Sequence, residues 1–418
     1  MHLYCRAIAA LIVVVLIFSL MPGSSLALSV EGMSAQAART PAGMRQNAFN
    51  LPAICYPLKK GFLPLVIRNA GGIGQALAPA IRMIQSPIHA VRVSYNNLSL
   101  SRPEVPALQV NLTRVSANFV ALSAGRPDWT YFKWVGHEAW WSSEVTDDQR
   151  DYLAEDIANY GAGRHVNAIV DIFAPHWIIA HPADAAVFYT GVYTSPVQVS
   201  TAALVNGAYG WHVLEMIGYI AAFYHVDSIA ITELFYHDYG YGADDLALYQ
   251  ADTGNSDWPR DANGNIDRNH PTLGLWRSQK IASWLERAAA CAHNHGKQLY
   301  LDVRISWGNL PSESRENGQD YATMLAVVDK LILWGYPNLE GYPPGYLQEV
   351  SAYLSSKYLA NRFIMSIGLW GPLGNVVPAN DIQTSMQSSV AGGLPDLWIT
   401  PTHLFTAAHW DVLDVEWP

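Results

Sequence analysis

Gln298-Leu-Tyr-Leu-Asp-Val-Arg-Ile305 is the stretch on which the fold turns. Leu299, Leu301, Val303 and Ile305 share one parity, and Tyr300, Asp302 and Arg304 share the other. A period of two predicts a strand with one aliphatic face and one polar, aromatic face. Just before it, His295-Gly296 closes a long apolar-periodic run over 273–293. Glycine there is what a helix C-terminus needs, because it accepts the left-handed conformation. A helix feeding a strand in this way, if repeated, builds a parallel α/β fold.

The repetition is present on both sides. Strand-like runs fall at 90–96, 118–124, 166–173, 228–233, 298–305, 330–336, 363–370 and 397–402. Helical periodicity separates them, most clearly at 148–160, 203–224, 273–293, 321–328, 345–358 and 381–390, with a weak first helix near 105–115 and a short last one after Phe405. Eight strand–helix units predict an α/β fold of the (β/α)8 TIM-barrel type with an N-terminal extension. An open doubly wound sheet is the rival, but it needs a phosphate-binding glycine loop. Gly71-Gly72-Ile73-Gly74 has no βαβ unit around it to serve as one. In a barrel the aliphatic parity meets the helices and the other parity points inward. The first strand repeats the pattern, with Val91 and Val93 set against Arg92, Ser94 and Asn96. The seventh sets Ser366 and Gly368 between Met365, Ile367 and Leu369. The interior is therefore expected to be polar near the strand ends.

Composition narrows the function. The 418 residues are 50% apolar and 14% charged, with a formal net charge of −10 and no basic cluster, which argues against a phosphate-backbone partner. There are 15 Trp and 22 Tyr, several in expected loops, where their faces suit the apolar faces of sugar rings. The N-terminus reads as an export signal over 1–27. Arg6 precedes an apolar run at 7–20, Met21-Pro22-Gly23 ends it, and Ser25-Leu26-Ala27 supplies small residues for cleavage. An uncleaved anchor is the alternative. Residues 28–87 then form an extension or linker, and 88–418 form the barrel; the mature protein is expected to be secreted or extracytoplasmic, with no membrane association after cleavage. Cys5 leaves with the signal, while Cys55 and Cys291 either pair or stay as two buried thiols. Asn97-Leu-Ser99 and Asn111-Leu-Thr113 are glycosylation acceptors only in a eukaryotic secretory pathway.

Active sites of such barrels lie at the C-terminal ends of the strands. The first strand ends at Asn96-Asn97. The loop after the second carries Trp134, His137, Glu138, Trp140 and Trp141. The third brings Asp171, His176 and Trp177; the fourth Glu233, Tyr236, His237 and Asp238; the fifth Asp302, Arg304 and Trp307. Trp334 and Tyr336, Trp370, and Thr402-His403 complete the circle. With Ile231-Thr-Glu-Leu-Phe-Tyr-His-Asp-Tyr-Gly240 after the fourth strand and Tyr300-Leu-Asp-Val-Arg304 in the fifth, residues 88–418 resemble the (β/α)8-barrel glycoside hydrolases. They are similar in particular to uncharacterised bacterial hypothetical glycosyl hydrolase barrels. The motif departs from the retaining pattern of an Asn-Glu acid at the fourth strand and a Glu nucleophile at the seventh. Here the fourth has Thr232-Glu233 and the seventh has no carboxylate. The α-amylase-like order, Asp then Glu on the fourth and fifth, is inverted.

Glycoside hydrolysis needs two carboxyl groups, one to protonate the leaving oxygen and one to attack or to activate water. Glu233 is expected as the acid among aromatics, and Asp302 beside Arg304 as the ionised partner. Asp171, His176, Trp177, Tyr236, His237, Asp238, Arg304, Trp307, Trp334, Trp370 and His403 are the expected substrate-binding set. The plainer reading of Asp302 and Arg304 is a structural ion pair. Glu233 also shares a parity with Ile229 and Ile231, so only a bulge or the strand end would turn it inward; otherwise Asp238 or Asp171 takes its place. The loop over 234–271, with Tyr236, His237, Tyr239, Tyr241, Trp258, Arg260 and His270, reads as a wall of the substrate cleft. Asp261-Ala-Asn-Gly-Asn-Ile-Asp267 invites Ca²⁺, yet it lacks the closing Glu and suits an Asx turn better. His293 and His295 sit at a helix C-terminus away from the site, and no metal is assigned. Two rivals stay open: a catalytically silent carbohydrate-binding barrel, and a metal-dependent hydrolase using His176, His237 and Asp302.

Overall fold

The computed structural model describes residues 87–93 and 104–417. Eight strands run parallel: β1 His89–Val93, β2 Phe119–Arg126, β3 His165–Asp171, β4 Ser228–Thr232, β5 Gln298–Val303, β6 Lys330–Gly335, β7 Phe363–Gly368 and β8 Leu397–Thr400. Each pairs with the next, and β8 pairs with β1, Ala90 opposite Trp398, so the sheet closes on itself. Helices lie between the strands, the (β/α)8 barrel that the sequence predicts. All eight expected strands are present, most of them one to three residues shorter at the C-terminal end, where the polar site residues leave the ladder.

Alternation divides the interior into two cores. Leu299, Leu301 and Val303 of β5 join Val91, Val93, Ile229, Ile231, Met365 and Ile367 in the layer under the helices. Tyr300 joins Ala90, Phe119, Ile169, Ala230, Ile332, Ile364 and Trp398 in a plug filling the barrel. Leu301 is fully buried, and truncating it to Ala would cost about 2–5 kcal/mol through lost contacts and a cavity. Below the plug the interior is polar and largely paired: His165 Nε2 lies 2.8 Å from Ser228 Oγ, and Lys330 pairs with Asp396 at 3.1 Å. The end of the barrel that carries stability rather than chemistry is thereby closed.

Local departures have readable causes. The expected helix over 148–160 is broken at Gln149, whose φ is 55°, and restarts as Tyr152–Tyr160 with Asp151 capping Ala154 N–H. The run over 203–224 splits at Asn206-Gly207 into Thr201–Val205 and Ala208–Phe223. The 234–271 segment is not structureless. It holds a helix, Ala243–Thr253, begun at Gly242 with Asp244 and Asp245 in its first turn and ended by Gly254 at φ 74°. A hairpin of Ala185–Val187 and Thr194–Val199 follows β3. Cys291 is buried and disulfide-bonded, so it is not a free thiol. The 1–27 signal, all but the last residue of the 28–87 extension, Cys55 and Asn96-Asn97 lie outside the described residues. Among the described residues, no helix is long and apolar enough to cross a membrane.

Candidate active site

The C-terminal end of the barrel collects polar groups on the inward parity: Arg92, Asp171, Thr232, Asp302 and Ser366. A small pocket just above the plug is lined by Arg92, Thr232, Asp302, Tyr336, Ser366 and Trp398. Glu233 enters from the wrong parity, and its backbone supplies the remedy. It follows the last residue of β4 with φ at 65°, in the left-handed region that a non-glycine residue rarely adopts. That turn breaks the alternation and brings Glu233 to the side of Arg304, which directly follows β5. Arg304 Nη2 lies 3.5 Å from Glu233 Oε2, with only 12% of the Glu233 side chain exposed. Strain of about 1–3 kcal/mol at such a residue persists only where the surroundings enforce it, as at working sites.

The surroundings of the two carboxyls differ. Asp302 Oδ2 accepts the Thr232 hydroxyl at 3.0 Å, and the Trp334 indole also hydrogen-bonds the carboxyl. Its Oδ1 is buried and has no hydrogen-bond partner. Burial pushes Asp302 up to about 7, with Trp334, Arg304 and Thr232 pulling the other way. Glu233 goes further, to about 8: burial raises it, Arg304 opposes, and the charges of Asp171 and Asp302 raise it again. Asp171 rises to about 6 by burial, restrained by Arg126, by the Phe173 N–H it accepts at 2.8 Å, and by Arg92. Burial is the first cause for all three, and it holds each carboxyl above the usual carboxylate range. The expected pairing of Arg304 with Asp302 is replaced by the pairing with Glu233, because the left-handed turn presents Glu233 to the guanidinium. Asp302 is accordingly not held in the usual carboxylate range.

Aromatic rings surround the carboxyls. The Arg304 guanidinium lies 3.2 Å from the centre of the Trp334 ring and 4.3 Å from that of Phe235. Trp334 stacks on Tyr336 (5.2 Å, 27°), whose ring is 5.5 Å from Trp370. Trp307 stacks on Tyr342 at 5.2 Å. All three tryptophans are half-buried. His403 is half-buried after β8, and burial and Arg92 lower it to about 4, so it is neutral. His237 and Asp238 stand 3.5 Å apart on the β4 loop, with Asp238 also paired to Arg268.

Other expected site residues lie elsewhere. Trp177 is buried among Trp140, Tyr209 and His212, its indole N–H given to Asp184 at 2.8 Å. Tyr236 is buried with its hydroxyl on the Val199 carbonyl. His176 is exposed, its backbone N–H on Asp128. The set His176, His237 and Asp302 is therefore not assembled as a metal centre. Tyr241 and Trp258, read as cleft wall, instead pack with Tyr249, Leu273 and Trp276 into a small core of their own. At Asp261 the oxygen Oδ1 accepts the N–H groups of Asn263 and Asn265, the Asx-turn geometry.

Two residues that escaped the sequence reading hold the site together. Gln319 is fully buried: its Oε1 accepts Arg304 N–H at 2.8 Å, and its Nε2 donates to the carbonyls of Leu234 and Asp302 at 2.8 and 3.1 Å. It ties the ends of β4 and β5 together. Arg277, also buried, donates to the carbonyls of Tyr236, Tyr239 and Gly240 and so shapes the β4 loop.

Fold and strand-end geometry together define a closed (β/α)8 barrel with a carboxylate-bearing cleft. No family model matches the sequence, and no curated protein matches it. Solved structures do, glycoside hydrolases among them. The chain is similar to the PgaB (BpsB) glycoside hydrolase domain from Bordetella bronchiseptica, with a TM-score of 0.60 at 18% identity over 79% of this chain and 98% of that one. It is also similar to the beta-galactosidase from the psychrophilic Marinomonas ef1, with a TM-score of 0.54 at 13% identity over 78% and 58%. At these identities the likeness is one of fold.

Proposed function

We propose that the chain is a secreted glycoside hydrolase that cleaves a poly- or oligosaccharide with Glu233 as general acid and Asp302 as nucleophile or base. The observation that carries this reading is the meeting of two buried carboxyls at neighbouring strand ends, Glu233 3.5 Å from the Arg304 guanidinium and Asp302 3.0 Å from the Thr232 hydroxyl. Burial favours the protonated form of Glu233, which gives its proton to the departing glycosidic oxygen. The carboxylate left behind faces Arg304 at 3.5 Å, so its new charge meets a cation already in place. The Asp302 anion is held by Thr232 and Trp334, and Oδ1 is left for the sugar carbon or for water. Trp307, Trp334 and Trp370 supply ring faces for sugars. Asp171, His237, Asp238 and His403 supply polar contacts around them. The resemblance in fold to glycoside hydrolases supports the class, and the export-signal pattern of the first 27 residues supports secretion.

The test is reducing-end release from a panel of polysaccharides and aryl glycosides by the protein from about Leu28 onward. Turnover of at least one substrate is expected. Polysaccharide binding with no turnover on any member would replace this reading with that of a silent binding barrel.

A further inference from the structure

We propose that His137, His212 and Glu215 form a binding site for a borderline divalent transition metal, Zn²⁺ or Co²⁺, that clamps the loop after β2 to the helix Ala208–Phe223. Nothing in the glycosidase reading uses these residues, and the proposal stands apart from it. One potential ligand atom from each lies within 4.8 Å of the other two. His212 and Glu215 are spaced i, i+3 on the helix and so share a face, and His137 arrives from the loop that also carries Trp140 and Trp141.

Geometry favours an ion over a plain contact. His137 Nε2 and Glu215 Oε2 are 3.7 Å apart, too far for a hydrogen bond. Ligands about 2.0–2.1 Å from a tetrahedral Zn²⁺ are separated by roughly 3.4 Å, so this edge is already nearly right. The remaining closure falls to Glu215, whose side chain is 61% exposed. His212 is the rigid member, 7% exposed. Its Nε2 donates to the Pro127 carbonyl at 2.8 Å, so Nδ1 holds the lone pair. A backbone carbonyl on the second ring nitrogen is the usual outer partner of a metal-binding histidine.

Trp134 lies against both rings, at 3.9 Å from His137 and 4.7 Å from His212, and restricts them. Two imidazoles and one carboxylate suit Zn²⁺ or Co²⁺ rather than Ca²⁺ or Mg²⁺, which require oxygen ligands, and three protein ligands leave a fourth position for water.

The test is a Co²⁺ titration of chelator-stripped protein, followed by visible absorption and by displacement with Zn²⁺. One equivalent of Co²⁺ is expected, with ligand-field bands abolished by one equivalent of Zn²⁺ and unaffected by excess Ca²⁺. His137→Ala and Glu215→Gln, both at partly or well exposed positions, should each weaken binding at least tenfold while leaving the far-ultraviolet circular dichroism unchanged. No saturable Co²⁺ binding, displacement by Ca²⁺, or wild-type affinity in either variant would overturn the proposal.

Discussion

Replacing Asp302 by Asn should stabilise the protein, and increasingly so as the pH rises. The folded state holds the Asp302 proton up to a pH of about 7, whereas an exposed aspartate releases it near 3.8. Between those values the unfolded chain binds fewer protons than the folded one, so the contribution of Asp302 falls steadily as pH rises through the window. The gap is about three pH units at about 1.4 kcal/mol each, which gives a ceiling of about 4 kcal/mol. Of this, about 2–3 kcal/mol should develop as an advantage for Asn between about pH 5 and about pH 7.5, levelling off above. Asn keeps an oxygen for the Thr232 hydroxyl, and its shape is that of the carboxyl, so packing is preserved. Urea denaturation of both proteins at the two pH values reads the difference directly. An offset that does not change with pH, or an Asn variant less stable at the higher pH, would refute the claim that burial holds this carboxyl protonated.

Three further outcomes follow from named contacts. Trp334→Phe removes the indole N–H that stabilises the Asp302 anion, so the acid limb of the pH–rate profile should move up by about 0.5–1 unit, the worth of one hydrogen bond; an unmoved limb would detach Trp334 from Asp302. Gln319→Leu leaves the Arg304 N–H and the Leu234 and Asp302 carbonyls without their partner, and should cost about 2–4 kcal/mol in denaturant titration and at least tenfold in kcat. Trp307→Ala takes one half of the stacked pair with Tyr342 from the cleft, and should raise KM about 3- to 10-fold with kcat nearly unchanged.

The barrel was legible because its signals are periodic and redundant. Alternation in the β5 strand, the His295-Gly296 stop before it and seven similar units all require the same closed sheet, and Tyr300 and Leu301 fall into the inner and outer cores that their parity assigns. The site was legible as a ring of strand ends but not as a set of contacts. A positive φ at Glu233 leaves no mark in composition, since nothing but a glycine or asparagine announces that conformation in advance. Gln319 lies 17 residues beyond Asp302 in an irregular stretch, and what makes it matter is a fold-dependent meeting of three backbone groups. Trp177 and Tyr236 show the opposite limit: an aromatic residue just past a strand end reads the same whether it faces the cleft or turns back into the core. The helix Ala243–Thr253 did carry a signal, two aspartates in the first turn and a terminal Gly254, which the aromatic density of the loop obscured.

The catalytic assignment is tested most directly by kcat/KM of the wild-type protein, Glu233→Gln and Asp302→Asn on one hydrolysed substrate. The measurement belongs across about pH 5 to pH 9, because burial holds both carboxyls above the usual carboxylate range. Both variants should fall by about a thousandfold or more while remaining folded, and the wild-type profile should be bell-shaped with limbs that belong to the pair. Activity within tenfold of wild type in either variant would remove that residue from the mechanism and contradict the account.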